Sequence, residues 1–492
     1  MKWSVAGFAN GAGIMFRQLT ATLAVVVALT GAPLCAAAQS STSAELDAWA
    51  QRQMSLRSIP GMQIAVVKDG RIVHSGAYGL ANLQTPVPVT EETVFSINSA
   101  TKAFTGVEIM RLVERGEMEL DAPVSTYLAD LPQAWRPITV RQLLTHMSGL
   151  PDIITPDGGY VGRDRAGALA ALADLPLRAV PGERFAYNQT NYLLLQWIVE
   201  RAQGRPFETV LGDVFRPLGM THSGFGDSLD VIPGKADSYR FSRPTDGEAP
   251  RLQNVHELFP PFARAAAGIN SSAPDLARWL IALQAGQILA PATLEALWTP
   301  GRFNDSKAGE WANGWVVVER QDHPAVGMTG GGRSAFFVYP KDRVAVIILT
   351  NLAGASPEEL VDSVATRFIP GMKLTGVAAL QERLEAEGFD QAERVAAELA
   401  ARDGAGALSE SDLNNWGYRL LSRGRVADAL TLMKLIVSLY PQSGNAYDSL
   451  AEAYARSGDR VRARENDQRS LALDPANANA VEQLRLLGSQ PY

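Results

Sequence analysis

The sequence predicts an α+β domain with an antiparallel sheet flanked by helices, followed by an all-α region. Three observations lead there. Strand-like runs lie near residue 62 and again between 315 and 350, with mostly helical patterning broken by Pro/Gly loops between them, so the sheet would be built from the two ends of that segment. From about Pro370 the chain becomes rich in Ala, Leu, Arg and Glu and shows no strand pattern. This tail also repeats: Trp416, Leu420, Gly424, Ala429 and Pro441 recur as Leu450, Tyr454, Gly458, Ala463 and Pro475, each pair 34 residues apart.

Length and composition agree with that division. A chain of 492 residues is too long for one ordinary domain. With 46% apolar residues, each part can bury a core. The net charge of -7 is modest and no basic block occurs, so nucleic acid is not an expected partner. The acidic residues are dispersed, as on a solvated surface.

The N-terminus reads as a leader rather than as part of the fold. From Met15 it runs Met-Phe-Arg-Gln, then apolar from Leu19 to Leu34, then Ala36-Ala37-Ala38. A cationic start, a short apolar core and a small-residue cleavage site make a secretory signal over residues 1–38, with Met15 an alternative start. The apolar core is shorter than the roughly 20 residues of a spanning helix, and no other long apolar run exists, so no permanent membrane span is expected. The only cysteine, Cys35, falls inside this leader. Leu34 before it disfavours lipid attachment. The mature chain is then expected to lack disulfides and cysteine chemistry, in a bacterial periplasm or outside the cell.

Next come the elements. Ala44 to Arg57 reads as an amphipathic helix. Met62 to Lys68, Asp69-Gly70 and Arg71 to Ser75 read as a β-hairpin, because Asp-Gly between β-rich runs signals a tight turn. Late strands are expected at Trp315–Glu319, Ala325–Met328, Ala335–Tyr339 and Val344–Thr350. Domain limits are placed at 39–370 and 371–492. The 34-residue period is that of tetratricopeptide repeats, so the tail resembles a short array of two such repeats. Leading helices are expected over Val377–Arg402 and a trailing cap at Ala480–Leu487. A peptide-binding groove is one role such an appendage suggests, but with so few repeats packing, self-association or contact with a protein partner is favoured over a dedicated receptor.

The chemistry concentrates in Phe95-Ser-Ile-Asn-Ser99-Ala-Thr-Lys102. Residues three apart share a helix face, so Ser99 and Lys102 can point into one cleft. A serine hydroxyl needs a nearby base to become a nucleophile. A lysine serves as that base once burial lowers its pKa. A serine at a helix start also presents its own N–H toward an attacked carbonyl. Ser-x-x-Lys alone is common at surface helix starts, so it needs company. Competing chemistries lack their signatures. The five histidines show no zinc spacing, no Gly-x-Ser-x-Gly elbow occurs, and the glycine run at 330–332 has no phosphate-loop lysine.

The company is family-like. From Leu46 to Pro370 the chain resembles the serine β-lactamase and penicillin-binding superfamily, in its class C β-lactamase, DD-peptidase and esterase branch. Thr145-His146-Met-Ser148-Gly-Leu-Pro151 and Ala267-Gly-Ile-Asn-Ser-Ser-Ala-Pro-Asp275 match two of its loop markers, in which His146, Ser148 and Asp275 read as structural residues. The resemblance implies a β-lactamase-like fold with a mostly helical subdomain. It places the proton relay on Tyr187, within Tyr187-Asn188-Gln189, where Gln189 replaces the usual Asn. It places Met328-Thr329-Gly330 where the family has Lys-Thr-Gly or His-x-Gly, and gives the Gly331 N–H the second oxyanion role beside that of Ser99. Met328 departs from the pattern, since it cannot handle a substrate carboxylate. Arg333 could supply a replacement cation or be a solvated loop residue. No metal and no organic cofactor are implied. The expected activity is acyl transfer from a small-molecule or peptide substrate through an acyl-enzyme on Ser99, on esters or amides. The alternatives are a β-lactamase or DD-peptidase, and a catalytically weak protein that binds peptides or peptidoglycan.

Overall fold

The computed structural model describes residues 32–156, 158–242, 250–320, 322–404 and 406–489. The expected leader up to position 31, with Met15, lies outside them, as do the side chains of Cys35 and Ala38. The first helix, α1 (Ala32–Arg57), begins earlier than Ala44.

A seven-stranded antiparallel sheet organises the segment up to Thr350. Its strands are β1 (Gly61–Lys68), β2 (Arg71–Asn82), β3 (Val87–Pro88), β4 (Val316–Val318), β5 (Ala325–Gly330), β6 (Ser334–Tyr339) and β7 (Val344–Thr350). Their spatial order is β3-β2-β1-β7-β6-β5-β4. The two chain ends therefore meet in mid-sheet, where Met62 faces Thr350 and Lys68 faces Val344. The β1–β2 hairpin turns through Asp69 (φ 51°) and Gly70 (φ 72°). Two successive left-handed residues form the turn whose twist matches paired strands.

Alternation along the strands feeds two cores. Ile64 and Val66 of β1, with Val346 and Ile348 of β7, pack with Trp49 of α1 and with Val361 and Val364. Their neighbours Ala65 and Val67, with Ala345, Ile347 and Leu349, pack on the opposite face with Phe104 and Trp279. Burial on both faces explains why Val344–Thr350 reads as one unbroken apolar run. The second face is covered by α2 (Thr101–Glu114), α3 (Gln189–Gln203) and α4 (Ala273–Gln284). Phe104 and Trp279 stack with ring centroids 3.8 Å apart at its centre.

Beyond Thr375 the chain is helical: α5 (Gly376–Glu387), α6 (Ala392–Asp403), α7 (Glu410–Ser422), α8 (Val426–Leu439), α9 (Gly444–Ser457), α10 (Arg460–Leu473) and α11 (Ala478–Ser489). The 34-residue correspondence becomes two helix hairpins. Gly424 (φ 73°) and Gly458 (φ 86°) turn α7 into α8 and α9 into α10. Ala429 and Ala463 are fully buried at matching helix crossings, while Trp416 and Leu450 fill a shared apolar cluster. The helices dock on the sheet segment through charge. Glu359 accepts from Arg57 of α1 at 3.3 Å and from Arg419 of α7 at 2.5 Å. Arg423 donates to the Gly354 carbonyl at 2.9 Å. No helix among the described residues is long and apolar enough to cross a membrane.

Candidate active site

The turn before α2 carries the site. Phe95–Ser96 pairs with Ile269–Ser271, and the Ile97 N–H donates to the Ile269 carbonyl at 3.0 Å. The chain then passes through Asn98 in the left-handed region (φ 48°) and a single 3-10 turn, Asn98–Ala100, into α2. Ser99 sits half-buried on that turn and Lys102 one turn on is wholly buried.

Lys102 Nζ lies among oxygens. It lies 2.7 Å from Gln189 Oε1, 2.7 Å from the Ala266 carbonyl and 3.4 Å from Ser99 Oγ. The first two are carbonyl oxygens and can only accept. They accept from Nζ, and the third contact likewise runs from Nζ to the Ser99 hydroxyl oxygen. Burial pushes the ammonium below its ordinary range, while the Tyr187 phenol and the Asp152 carboxylate pull the other way. A lysine whose pKa is lowered in this way gives up its proton more readily than one in water.

Tyr187 stands over this amine, its ring centroid 4.8 Å from Nζ. The residue is 40% exposed, and its phenol interacts with the Lys102 amine. The His146–Pro151 loop fixes it from behind. The His146 ring lies 4.4 Å from the Tyr187 ring and 4.9 Å from that of Trp311. His146 Nδ1 accepts from the Asn188 N–H at 3.2 Å and faces the Asn191 amide nitrogen at 3.1 Å, which places its proton on Nε2. Burial, then the charge of Lys102, hold this imidazole well below its usual pKa, so it stays neutral. Ser148 Oγ donates to Asn191 Oδ1 at 2.5 Å. Asp275, in the first turn of α4, accepts from the His222 N–H and from Ser223 Oγ at 2.7 and 3.0 Å.

β5 forms the opposite wall. A Cβ on Gly330 would lie 1.9 Å from the Ile97 carbonyl and 2.9 Å from the Ala100 nitrogen. Only glycine lets the strand end press this closely on the turn that carries Ser99. Ser334 Oγ ties the same Ile97 carbonyl at 2.7 Å. Thr329 is half-buried beside it, and Gly331 (φ 57°) starts the turn into β6.

With that geometry in place, known proteins are informative. The β-lactamase family pattern matches residues 46–369. The chain belongs to the β-lactamase family. It is a serine hydrolase of that superfamily, with relatives that include penicillin-binding proteins. Protein flp of Staphylococcus aureus is 24% identical over 351 residues, 68% of each chain. The putative penicillin-binding protein PbpX of Bacillus subtilis is 29% identical over 240 residues, 48% of this chain and 58% of that one. Among solved structures, an octameric penicillin-binding protein homologue from Pyrococcus abyssi is 28% identical, with 65% of this chain and 75% of that one covered at TM-score 0.55. A class C β-lactamase superposes at TM-score 0.57 and 22% identity over 68% of this chain and 98% of that one. EstCE1, a hydrolase with promiscuous acyltransferase activity, does so at TM-score 0.56 and 22% identity, over 67% of this chain and 99% of that one. These last two likenesses are of fold.

Two positions differ from what the β-lactamase family pattern suggested. Met328 is 1% exposed and joins the core cluster on the α2 face. Arg333 is 4% exposed and forms a two-pronged ion pair with Glu257, at 3.0 and 2.5 Å. It is neither a solvated loop residue nor a free cation, because its guanidinium is already committed to a carboxylate. Sequence reasoning also missed Asn98, Glu257, Trp311 and the Ala266 carbonyl. Ala266 directly precedes a recognised loop marker. Glu257 stands in a segment with no periodic signal at all.

Proposed function

We propose that this chain is an ester or amide hydrolase that works through an acyl-enzyme on Ser99. The carrying observation is the buried Lys102 amine, held by two carbonyl oxygens at 2.7 Å with the Ser99 hydroxyl 3.4 Å away. Ser99 Oγ bonds to the substrate carbonyl carbon as its proton passes to Lys102. Tyr187 relays that proton to the leaving oxygen or nitrogen as the acyl bond breaks. Water then attacks the acyl-enzyme and restores Ser99. The N–H groups of Ser99 and Gly331 hold the oxyanion, with Thr329 and Gly330 lining the substrate edge and Gln189 holding the lysine. Each such donor contributes about 100-fold or more in rate. Neither donor depends on the side chain at 328.

Two findings favour neutral ester or amide substrates over β-lactams and D-Ala-D-Ala peptides. The Met328 side chain is packed in the core, and the Arg333 guanidinium is held by Glu257. Neither is free to meet a substrate carboxylate. The periplasmic or secreted location, and the peptide-binding or self-associating role of the repeats, belong to the same reading. A fluorescent penicillin and p-nitrophenyl esters, offered to wild type and to Ser99→Ala, decide it. Ester turnover lost in Ser99→Ala, without penicillin turnover, supports the esterase. Penicillin turnover replaces it with a β-lactamase, and stable penicillin labelling with a penicillin-binding protein. Equal activity in Ser99→Ala removes Ser99 as nucleophile.

A further inference from the structure

Two separate turns supply the oxyanion donors, and one carboxylate bridges them. The first turn runs through Asn98 to Ser99. Asn98 is buried and holds a left-handed φ of 48°, a conformation that asparagine tolerates better than most residues. Its Nδ2 donates to Glu257 Oε1 at 2.5 Å. The second turn runs from Gly331 to Arg333. Arg333 donates to both oxygens of the same Glu257, at 2.5 Å to Oε1 and 3.0 Å to Oε2. The turns also touch directly: a Cβ on Gly331 would lie 3.0 Å from the Asn98 side-chain carbon.

We infer that Glu257 is a positioning residue that sets the spacing between the Ser99 and Gly331 N–H groups. The inference rests on the oxyanion reading given above. Glu257 is suited to the task. Its side chain is only 10% exposed, so its charge-assisted hydrogen bonds are poorly screened and short. Its own segment is pinned independently, because the Glu257 N–H donates to Ser228 Oγ at 2.8 Å and the Ser228 N–H to the Glu257 carbonyl at 2.9 Å. Bidentate pairing fixes the Arg333 plane as well as its distance. Without Glu257, Asn98 and Arg333 keep no common anchor, and the donors can drift. Displacements of about 1 Å suffice to lose on the order of 100-fold in rate.

The test separates positioning from simple loss of fold. Wild type, Glu257→Ala, Glu257→Gln and Asn98→Gly are assayed on a p-nitrophenyl ester and on its thionoester, whose sulfur is a poor hydrogen-bond acceptor. Glu257→Ala is expected to lose about 100-fold in kcat on the ester with KM within about threefold. It should lose much less on the thionoester, so that the ester-to-thionoester ratio falls about tenfold. Glu257→Gln, which keeps one acceptor, recovers part of the loss. Asn98→Gly keeps the left-handed turn and removes one arm, and its effect is expected to be less than additive with Glu257→Ala. If Glu257→Ala does not fold, Glu257→Gln and Asn98→Gly carry the same ratio test. Equal losses on both substrates, or kcat within about threefold of wild type, overturn the inference while leaving Ser99 in place. Activity that survives Ser99→Ala overturns the underlying reading instead.

Discussion

At the scale of single residues, the proposed chemistry turns on Lys102. It must be neutral to take the Ser99 proton, and burial lowers the pH at which that state is reached. We expect kcat/KM to climb with pH and level off at a value below the usual lysine pKa. A pH–rate profile checks the direction, and a profile that falls across that range contradicts it. Lys102→Arg keeps a cation but cannot deprotonate near neutrality, so a loss of about 100-fold to 10,000-fold is expected with the fold retained. Tyr187→Phe removes the phenolic proton but keeps the ring that stacks on His146. Its kcat should fall on a similar scale, in steady-state kinetics with KM little changed. Ser99, Lys102 and Tyr187 could be proposed from sequence because their spacing and neighbours follow a family pattern, and the structure brings the three together. Glu257 could not. Its partners Asn98 and Arg333 are far away along the chain, and nothing local marks an acid in an irregular segment as anything but solvated.

Secondary-structure elements were legible to different depths. The hairpin showed because its turn chemistry is local, and β6 and β7 showed because burial on both faces leaves apolar runs. β2 continues to Asn82, past the expected Ser75, since pairing with β1 outweighs the small and polar residues along its length. β5 extends to Gly330, which local propensity disfavours and contact with the nucleophile turn requires. Gly330→Ala should therefore separate strand from turn. A destabilisation of about 1–3 kcal/mol is expected in thermal unfolding, with loss of most ester hydrolysis. In the helical region Asp467 is buried, and burial followed by the charges of Asp448 and Glu452 raises its pKa to about 7. The folded state keeps a proton there that the unfolded chain releases above about pH 4. The resulting stabilisation is full below that pH and fades as pH rises through 7. Asp448 and Glu452 are also raised, with burial the first cause, and add to the same trend. Hydrogen-exchange protection over residues 410–473, taken relative to the intrinsic rate at each pH, should rise on acidification from pH 8 to pH 5, and Asp467→Asn should flatten the change.

Over the whole molecule, the repeats and the sheet segment share a polar seam centred on Glu359. Its carboxylate serves Arg57, which is 2% exposed, and Arg419 together. Removing it strands a buried guanidinium, so Glu359→Ala is expected to cost about 3 kcal/mol or more. Scanning calorimetry should then show the helices melting before the sheet. Near that seam the Arg423 contact reaches Gly354, whose nitrogen would lie 3.0 Å from a Cβ on Gly332, and the Ser356 N–H donates to the Gly332 carbonyl at 3.0 Å. The helices thus abut the back of the turn that carries Gly331. The repeat period was visible in sequence, but this docking was not, because it depends on single arginines meeting loop carbonyls.

The meeting of β1 and β7 in mid-sheet has a consequence for the life of the nascent chain. β1 leaves the ribosome early, with Ile64, Ala65, Val66 and Val67 apolar on both faces. Its inner edge has no mate until Thr350 has been made. At ~5–20 residues per second, that wait lasts roughly 15–60 s. Through that interval a sticky, unpaired strand edge is on offer to other chains. The helical hairpins, made later and folding from near neighbours, face no such delay. Yield in an expression host should then be limited by this early strand, and raised by chaperones that shield it until its partner strand emerges.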